Sequence, residues 1–202
     1  MLTDNNNLKP NEEADNRMNG KPASQPALKV VGGASEYQKR EIPSDDNKRL
    51  YRDALGKFAT GVTVITARTE HGPVGMTANS FASVSLDPAL VLWSVDKSSG
   101  RYEVFRDAKH FAIHILREDQ SELALDFAKN ADAFSNCEWR DNEYGVPLLR
   151  HSLARFECAL ETTHDGGDHT IIIGRVIGFS KQEGNSLVFA SGEFGAFAAI
   201  NK

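Results

Sequence analysis

The chain has 202 residues, 40% of them hydrophobic, enough for one domain of ordinary size with a substantial core. Its net charge of -5 leaves no basic surplus to neutralise nucleic-acid phosphates or anionic lipid, so neither nucleic acid nor membrane is expected as a partner. Two cysteines, Cys137 and Cys158, are too few for a disulfide framework or a cysteine-rich metal site and read as reduced thiols. Apolar runs such as residues 89–95 fall far short of the ~20 residues that span a bilayer. The opening MLTDNNNLKPNEEADNRMNG has no basic start followed by an apolar stretch, and its acidic residues argue against a transit peptide. A cytoplasmic location is therefore expected.

Residues 1–47 are rich in Asn, Lys, Glu, Pro and Ser, with few large apolar side chains to offset the entropy of ordering them. They are expected to form a disordered arm, with the folded domain running over 48–202. Ser44 or Asp45 can cap a helix whose Leu50, Ala54, Leu55 and Phe58 share one face, closed by Gly61. VTVITA (62–67), a TEHG turn, GMTANSFASVS and ALVLWSV then read as three strands in succession. A short helical piece around 102–106 leads to the strand HFAIHIL (110–116). EDQSELALDFAK places Leu123 and Phe127 at helical spacing. Residues 130–147 read as a loop anchored by Phe134 and Trp139. SLARFECALETTH, HTIIIGRVIGFSK and SLVFAS complete the strands, the last two joined as a hairpin through KQEGN. About seven strands, with short helices and no regular strand-helix alternation, predict a mainly β protein built as an antiparallel barrel.

GMTANSFASVS raises a chemical question, because a strand buried only for packing would favour Val, Ile and Phe. At a period of two, Thr77, Asn79, Phe81, Ser83 and Ser85 lie on one side, and Met76, Ala78, Ser80, Ala82 and Val84 on the other. Small side chains let a flat ligand approach the backbone, while hydroxyls and an amide can hydrogen-bond a polyol or the edge of a heteroaromatic ring. The apolar run at 89–93 would be its rigid support. DKSSGR, just after, offers Lys97, two hydroxyls, backbone amides and Arg101 as a seat for a phosphate. A Ser-rich strand followed by an ordinary capped helix is the alternative.

HDGGDH (164–169) holds two histidines and two aspartates, residue types that ligate zinc and non-haem iron. Its Gly-Gly suits a hairpin, and no second cluster completes a coordination sphere. The reading is a tight loop that brings His169 to the edge of a ligand pocket, with a plain turn as the alternative and no metal expected. His110 and His114 read as packed or edge histidines. There is no G-x-S-x-G elbow, C-x-x-C, P-loop or strand-borne G-x-G-x-x-G, and SGEFGAF (191–197) does not fit a phosphate fingerprint.

Four segments, FATGVTVITA (58–67), GMTANSFASVSLDPALVLWSV, HFAIHILREDQSELALDFA and GGDHTIIIGRV, occur in an order and spacing that resembles the flavin reductase-like family, with its FMN-binding split-barrel fold. The resemblance runs from about residue 50 to 191. It implies a homodimer with a non-covalent flavin, FMN or FAD, reduced by NADH or NADPH and released to a separate oxygenase. It further implies that Gly75, Met76, Thr77, Ala78, Asn79 and Ser80 border the isoalloxazine and ribityl chain. Ser94, Val95, Asp96, Lys97 and Ser99 would surround the phosphate, and His169 would be the catalytic residue beside the nicotinamide. Arg101 stands where relatives often carry a small hydroxyl and is assigned to phosphate binding or flavin choice. The C-terminal LVFASGEFGAF replaces an aromatic-Arg motif found in many members. An electron carrier or sensor without nicotinamide turnover, or a reductase acting on a bound corrinoid or metal chelate, are the other functions this fold admits.

Overall fold

The computed structural model describes residues 40–200, so most of the expected disordered arm lies outside the described residues. A 3-10 turn at Asp45–Asn47 leads into helix α1 (Lys48–Leu55). Strands β1 (Thr60–Gly61), β2 (Thr63–Thr69), β3 (Gly72–Ala78), β4 (Ala82–Leu86) and β5 (Ala89–Asp96) follow, then helix α2 (Tyr102–Asp107) and β6 (His110–Ile115). After helix α3 (Ser121–Lys129) and a 3-10 turn at Ala133–Asn136 come β7 (Trp139–Asp141) and β8 (Pro147–Leu149). The long β9 (Ala154–Gly166) and β10 (His169–Lys181) precede β11 (Leu187–Ala190) and β12 (Glu193–Ala196).

Seven strands form one antiparallel sheet in the order β3-β2-β6-β9-β10-β5-β4. Its two edge strands are consecutive in the chain, joined by only Asn79, Ser80 and Phe81. Laid flat, six inter-strand gaps would separate those edges by roughly 29 Å, whereas the link reaches about 14 Å at full extension. The sheet therefore curls into a barrel, as the sequence leads one to expect. Inside it Ile65, Trp93, Phe105, Phe111, Ile113 and Ile172 are buried, with Trp93 edge-on to Phe105 at 5.3 Å.

The unbroken burial of residues 63–67 in β2 follows from its position between two cores. Ile65 and Ala67 face the barrel interior, while Val64 joins Leu116, Phe127, Leu149 and Leu187 in a second core beneath α3 and the three-stranded sheet β1-β11-β12. His114 of β6 is fully buried against this strand: Nδ1–H donates to the carbonyl of Val64 at 3.0 Å, and Nε2 accepts from the amide of Leu149 at 3.0 Å. Burial pushes its pKa down to about 3, so the ring stays neutral. His110 stacks on Tyr144, centroids 4.3 Å apart.

Several local expectations are corrected. Helix α1 ends at Leu55, where the amide of Gly56 donates to the carbonyl of Arg52 at 2.9 Å; Gly61 instead pairs with Val188. None of α1 is buried, so its predicted apolar face lies exposed, with Phe58 beyond it 78% accessible. GMTANSFASVS is two strands on opposite sheet edges, because closing the barrel requires the chain to cross there. KQEGN joins no hairpin: β10 pairs with β5 and β9, whereas β11 pairs with β1 and β12. The expected loop at 130–147 contains the 3-10 turn and the pair β7-β8, with Phe134 buried and edge-on to Trp139 at 5.2 Å.

Candidate functional site

Barrel closure gathers three pieces of chain: the end of β3, the end of β5, and the turn between β9 and β10. The Ser80 hydroxyl donates to the carbonyl of Ser94 at 3.2 Å and accepts from its amide at 2.9 Å, so the residue after Asn79 is fastened to β5. Asn79 itself is exposed, and its carboxamide has no hydrogen bond to any described residue. Beside it is a cavity of about 350 Å³, lined by Ala78, Asn79, Leu125, Phe189, Gly192 and Phe194. Apolar walls with one unpartnered amide at the rim suit a flat, partly polar ring.

At the other end, β10 pairs with β5 so that His169 lies opposite Asp96. The β9-β10 turn needs only Gly167 and Asp168, and Gly167 takes a φ of +78°, which glycine adopts without strain. Lys97 holds this turn: its ammonium donates to Asp165 and to the carbonyl of Gly167 at 2.6 Å, and its amide donates to the carbonyl of Asp168 at 2.9 Å. The bond to Asp165 raises the pKa of Lys97 and lowers that of Asp165. His169 donates from Nδ1 to Asp168 at 2.8 Å, which lowers the pKa of Asp168 and directs Nε2 away from the turn. Asp96 is held below the usual carboxylate range by the hydroxyl and amide of Ser98, each at 2.7 Å.

The structure thus brings Asn79, Ser80 and Ser94 together, and Asp96 and Lys97 with His169. It also gives several of the predicted residues partners inside the chain. Gly75 is buried, and a Cβ there would lie 2.4 Å from the ring of Phe127, so this glycine serves the packing of α3. The Thr77 hydroxyl donates to the carbonyl of Ala124 at 2.6 Å. Met76 and Ala78 pack against the barrel core, and Val95 is buried within it. Ser99 Oγ accepts from the amide of Arg101 at 3.2 Å. The guanidinium of Arg101 donates to the carbonyls of Gly75, Phe127 and Ala128 at 3.1, 2.5 and 3.2 Å, tying α2 to β3 and α3. Both cations assigned to a phosphate are therefore committed to protein groups.

Phe189, Gly192 and Phe194 were missed by sequence reasoning. They reach the cavity because β11 and β12 form a hairpin across Ser191 and Gly192, whose φ values of +52° and +87° mark a tight turn. The Ser-Gly pair between two short apolar runs is the signal that could have revealed it.

Barrel, cavity and hairpin define an antiparallel split-barrel protein with a candidate ligand cavity beside the link that closes its sheet. Residues 55–198 match the family described as flavin reductase like domain. Among curated relatives, an FMN reductase (NADH) of Agrobacterium fabrum is 53% identical over 157 residues, covering 78% of this chain and 90% of that protein. The reductase component of a flavin-dependent trigonelline monooxygenase from Acinetobacter baylyi is 47% identical, covering 69% of this chain but 46% of that protein, so the chain spans about half the length of this relative. An NADH:FAD oxidoreductase of Streptomyces globisporus, solved with NAD and FAD fragments, superposes with a TM-score of 0.73 at 37% identity, covering 79% of this chain and 98% of that one. The chain belongs to the flavin reductase-like family.

Proposed function

We propose that this protein is an NAD(P)H-dependent flavin reductase that passes a hydride to FMN or FAD and supplies the reduced flavin to a separate monooxygenase. The activity of its relatives supports this reading, and the observation that carries it here is the presence of two features on the barrel. One is an apolar cavity with the free Asn79 amide at its rim; the other is a braced turn presenting His169. The fit is to the ring rather than to a tight phosphate cradle, because Lys97, Ser98 and Arg101 already have protein partners.

Bound flavin supplies the hydride acceptor, so the chain needs no nucleophile or acid-base pair. What the residues do is position and exclude water. Asn79 would hydrogen-bond a ring edge, Ala78 would let the ring lie close to β3, and Leu125, Phe189 and Phe194 would keep the apolar end dry. His169, oriented by Asp168, would meet the nicotinamide and fix that ring's approach. Holding two planar groups in contact supplies the acceleration.

In this reading the reductase domain is residues 48–202 and acts in the cytoplasm as a homodimer. Exposed apolar side chains on β4 and β10, Leu86 at 95% and Phe179 at 74%, are the surface a second copy would cover. The deciding assay crosses NADH and NADPH with FMN, FAD and riboflavin in steady state. Turnover above the flavin-only background is expected; its absence with every pair would overturn the reading.

A further inference from the structure

A groove of about 850 Å³ lies between α1 and the β9-β10 turn, and Asp168 and His169 form one wall of it. The other wall is α1, which presents Lys48, Tyr51, Arg52 and Leu55. Lys48 and Arg52 are four residues apart in sequence and so share a helix face. Lys48 is paired with Asp45 at 2.8 Å, and Asp168 is occupied by His169. The guanidinium of Arg52 makes no hydrogen bond or ion pair with any described residue, and Arg52 is not buried. Of the carboxylates lining the groove, Asp45 is thus engaged by Lys48 and Asp168 by the Nδ1–H of His169, while Arg52 has no carboxylate partner among the described residues.

We infer that α1 is the second wall of the dinucleotide site, and that Arg52, assisted by Lys48, binds the phosphates of the nicotinamide dinucleotide whose reduced ring His169 receives. This rests on the assignment of His169 to the nicotinamide. A planar guanidinium matches two phosphate oxygens at once, and the neighbouring ammonium adds a point charge. The arrangement also accounts for a helix whose polar side chains are turned towards a loop instead of solvent alone. It makes Arg52 a determinant of hydride-donor affinity, with no part in flavin binding, since the flavin cavity is lined by different residues.

The test compares wild type with Arg52→Ala, Arg52→Lys and the control Arg49→Ala, a cation of the same helix outside the groove. With FMN saturating, Arg52→Ala should raise KM for NADH or NADPH about tenfold or more, the usual effect of losing a charge-assisted hydrogen bond. kcat, KM for FMN and the melting temperature should stay within twofold or a few degrees, Arg52→Lys should recover part of the loss, and Arg49→Ala should behave as wild type. Oxidation of N-benzyl-dihydronicotinamide, which has no phosphate, should be the same in all four proteins. Calorimetric binding of NAD+ separates this inference from the assigned activity: a wild type without turnover that still loses NAD+ on Arg52→Ala keeps the groove and discards the reductase. Equal NAD+ affinity in wild type and Arg52→Ala overturns the inference.

Discussion

The hydroxyl of Ser80 satisfies both backbone groups of Ser94, donating to its carbonyl at 3.2 Å and accepting from its amide at 2.9 Å. A serine side chain here does what a neighbouring strand's backbone would do, at the point where the sheet closes on itself. Ser80→Ala would leave a half-buried amide and carbonyl without that partner, at a cost of about 1–3 kcal/mol. Urea unfolding should show the free energy of unfolding falling by that amount, with the midpoint moving down in proportion. A variant of unchanged stability that had lost flavin would show that the hydroxyl serves the ligand instead.

Gly75→Ala tests the buried side of the same strand. Its Cβ would enter the ring of Phe127, which is itself buried and held edge-on against Phe134 at 5.0 Å, so the ring has little room to yield. Overpacking of this kind costs about 1–3 kcal/mol. The melting temperature should drop by several degrees, and flavin affinity, compared at a temperature where both proteins are folded, should change less than in the next variant.

Asn79→Leu reverses that pattern. Asn79 is exposed and has no partner among the described residues, so its replacement removes no internal bond. It does place bulk at the rim of the cavity and deletes an amide. Flavin affinity, read by fluorescence quenching, should weaken about tenfold, the worth of one lost hydrogen bond to a ligand, while the melting temperature moves by no more than a degree or two. Equal losses of folding and binding would move the flavin elsewhere.

These variants also show what the sequence could and could not reveal. The strand carrying His114 was legible as a short, mainly apolar run, and the helix carrying Leu123 and Phe127 because its apolar residues repeat with the helical period. The break at Asn79 was not, since small residues continue through it and the cause is the closure of a sheet by strands far apart in sequence. Thr77, Ser80 and Arg101 were chosen for the right chemistry, but hydroxyl and guanidinium groups serve a protein carbonyl as readily as a ligand. Only the fold sets Thr77 against Ala124 and Arg101 against Phe127. KQEGN misled for a related reason: turn residues mark where a chain bends without saying which strands pair.

His114 predicts a pH dependence of stability. Its folded pKa is pushed to about 3, below the ordinary histidine value near 6.5, so the unfolded chain binds the extra proton across the interval between them. Stability is thus complete above about pH 6.5 and falls as the pH drops, by up to about 1.4 kcal/mol per unit. Unfolding curves at pH 7, 6 and 5 should show this loss before the carboxylates titrate. His114→Gln, which can still donate to Val64 and accept from Leu149, should be less stable at neutral pH but flat over the same range. A wild-type curve that is itself flat would mean that the ring has the same proton affinity folded and unfolded, so that burial does not hold it neutral.

Lys97 is where an earlier expectation, a phosphate ligand, and the observed role, a brace for the turn carrying His169, give opposite results. Lys97→Met removes the ammonium that Asp165 and the Gly167 carbonyl share. Because the pair is solvent-exposed, its loss should barely move the melting temperature. As a brace, Lys97 acts on the hydride donor: KM for NADH should rise several-fold and amide hydrogen exchange at Gly167 and Asp168 should accelerate, with flavin affinity unchanged. As a phosphate ligand it would act on the flavin, and riboflavin, lacking the phosphate, would be reduced equally well by both proteins while FMN was not. With Asp165 held low and Lys97 held high, the brace stays formed across neutral pH and is lost as the pH falls through the depressed carboxylate value. The wild-type KM for NADH should accordingly be level from pH 6 to 8, and a Lys97→Met effect confined to FMN would return the residue to the phosphate.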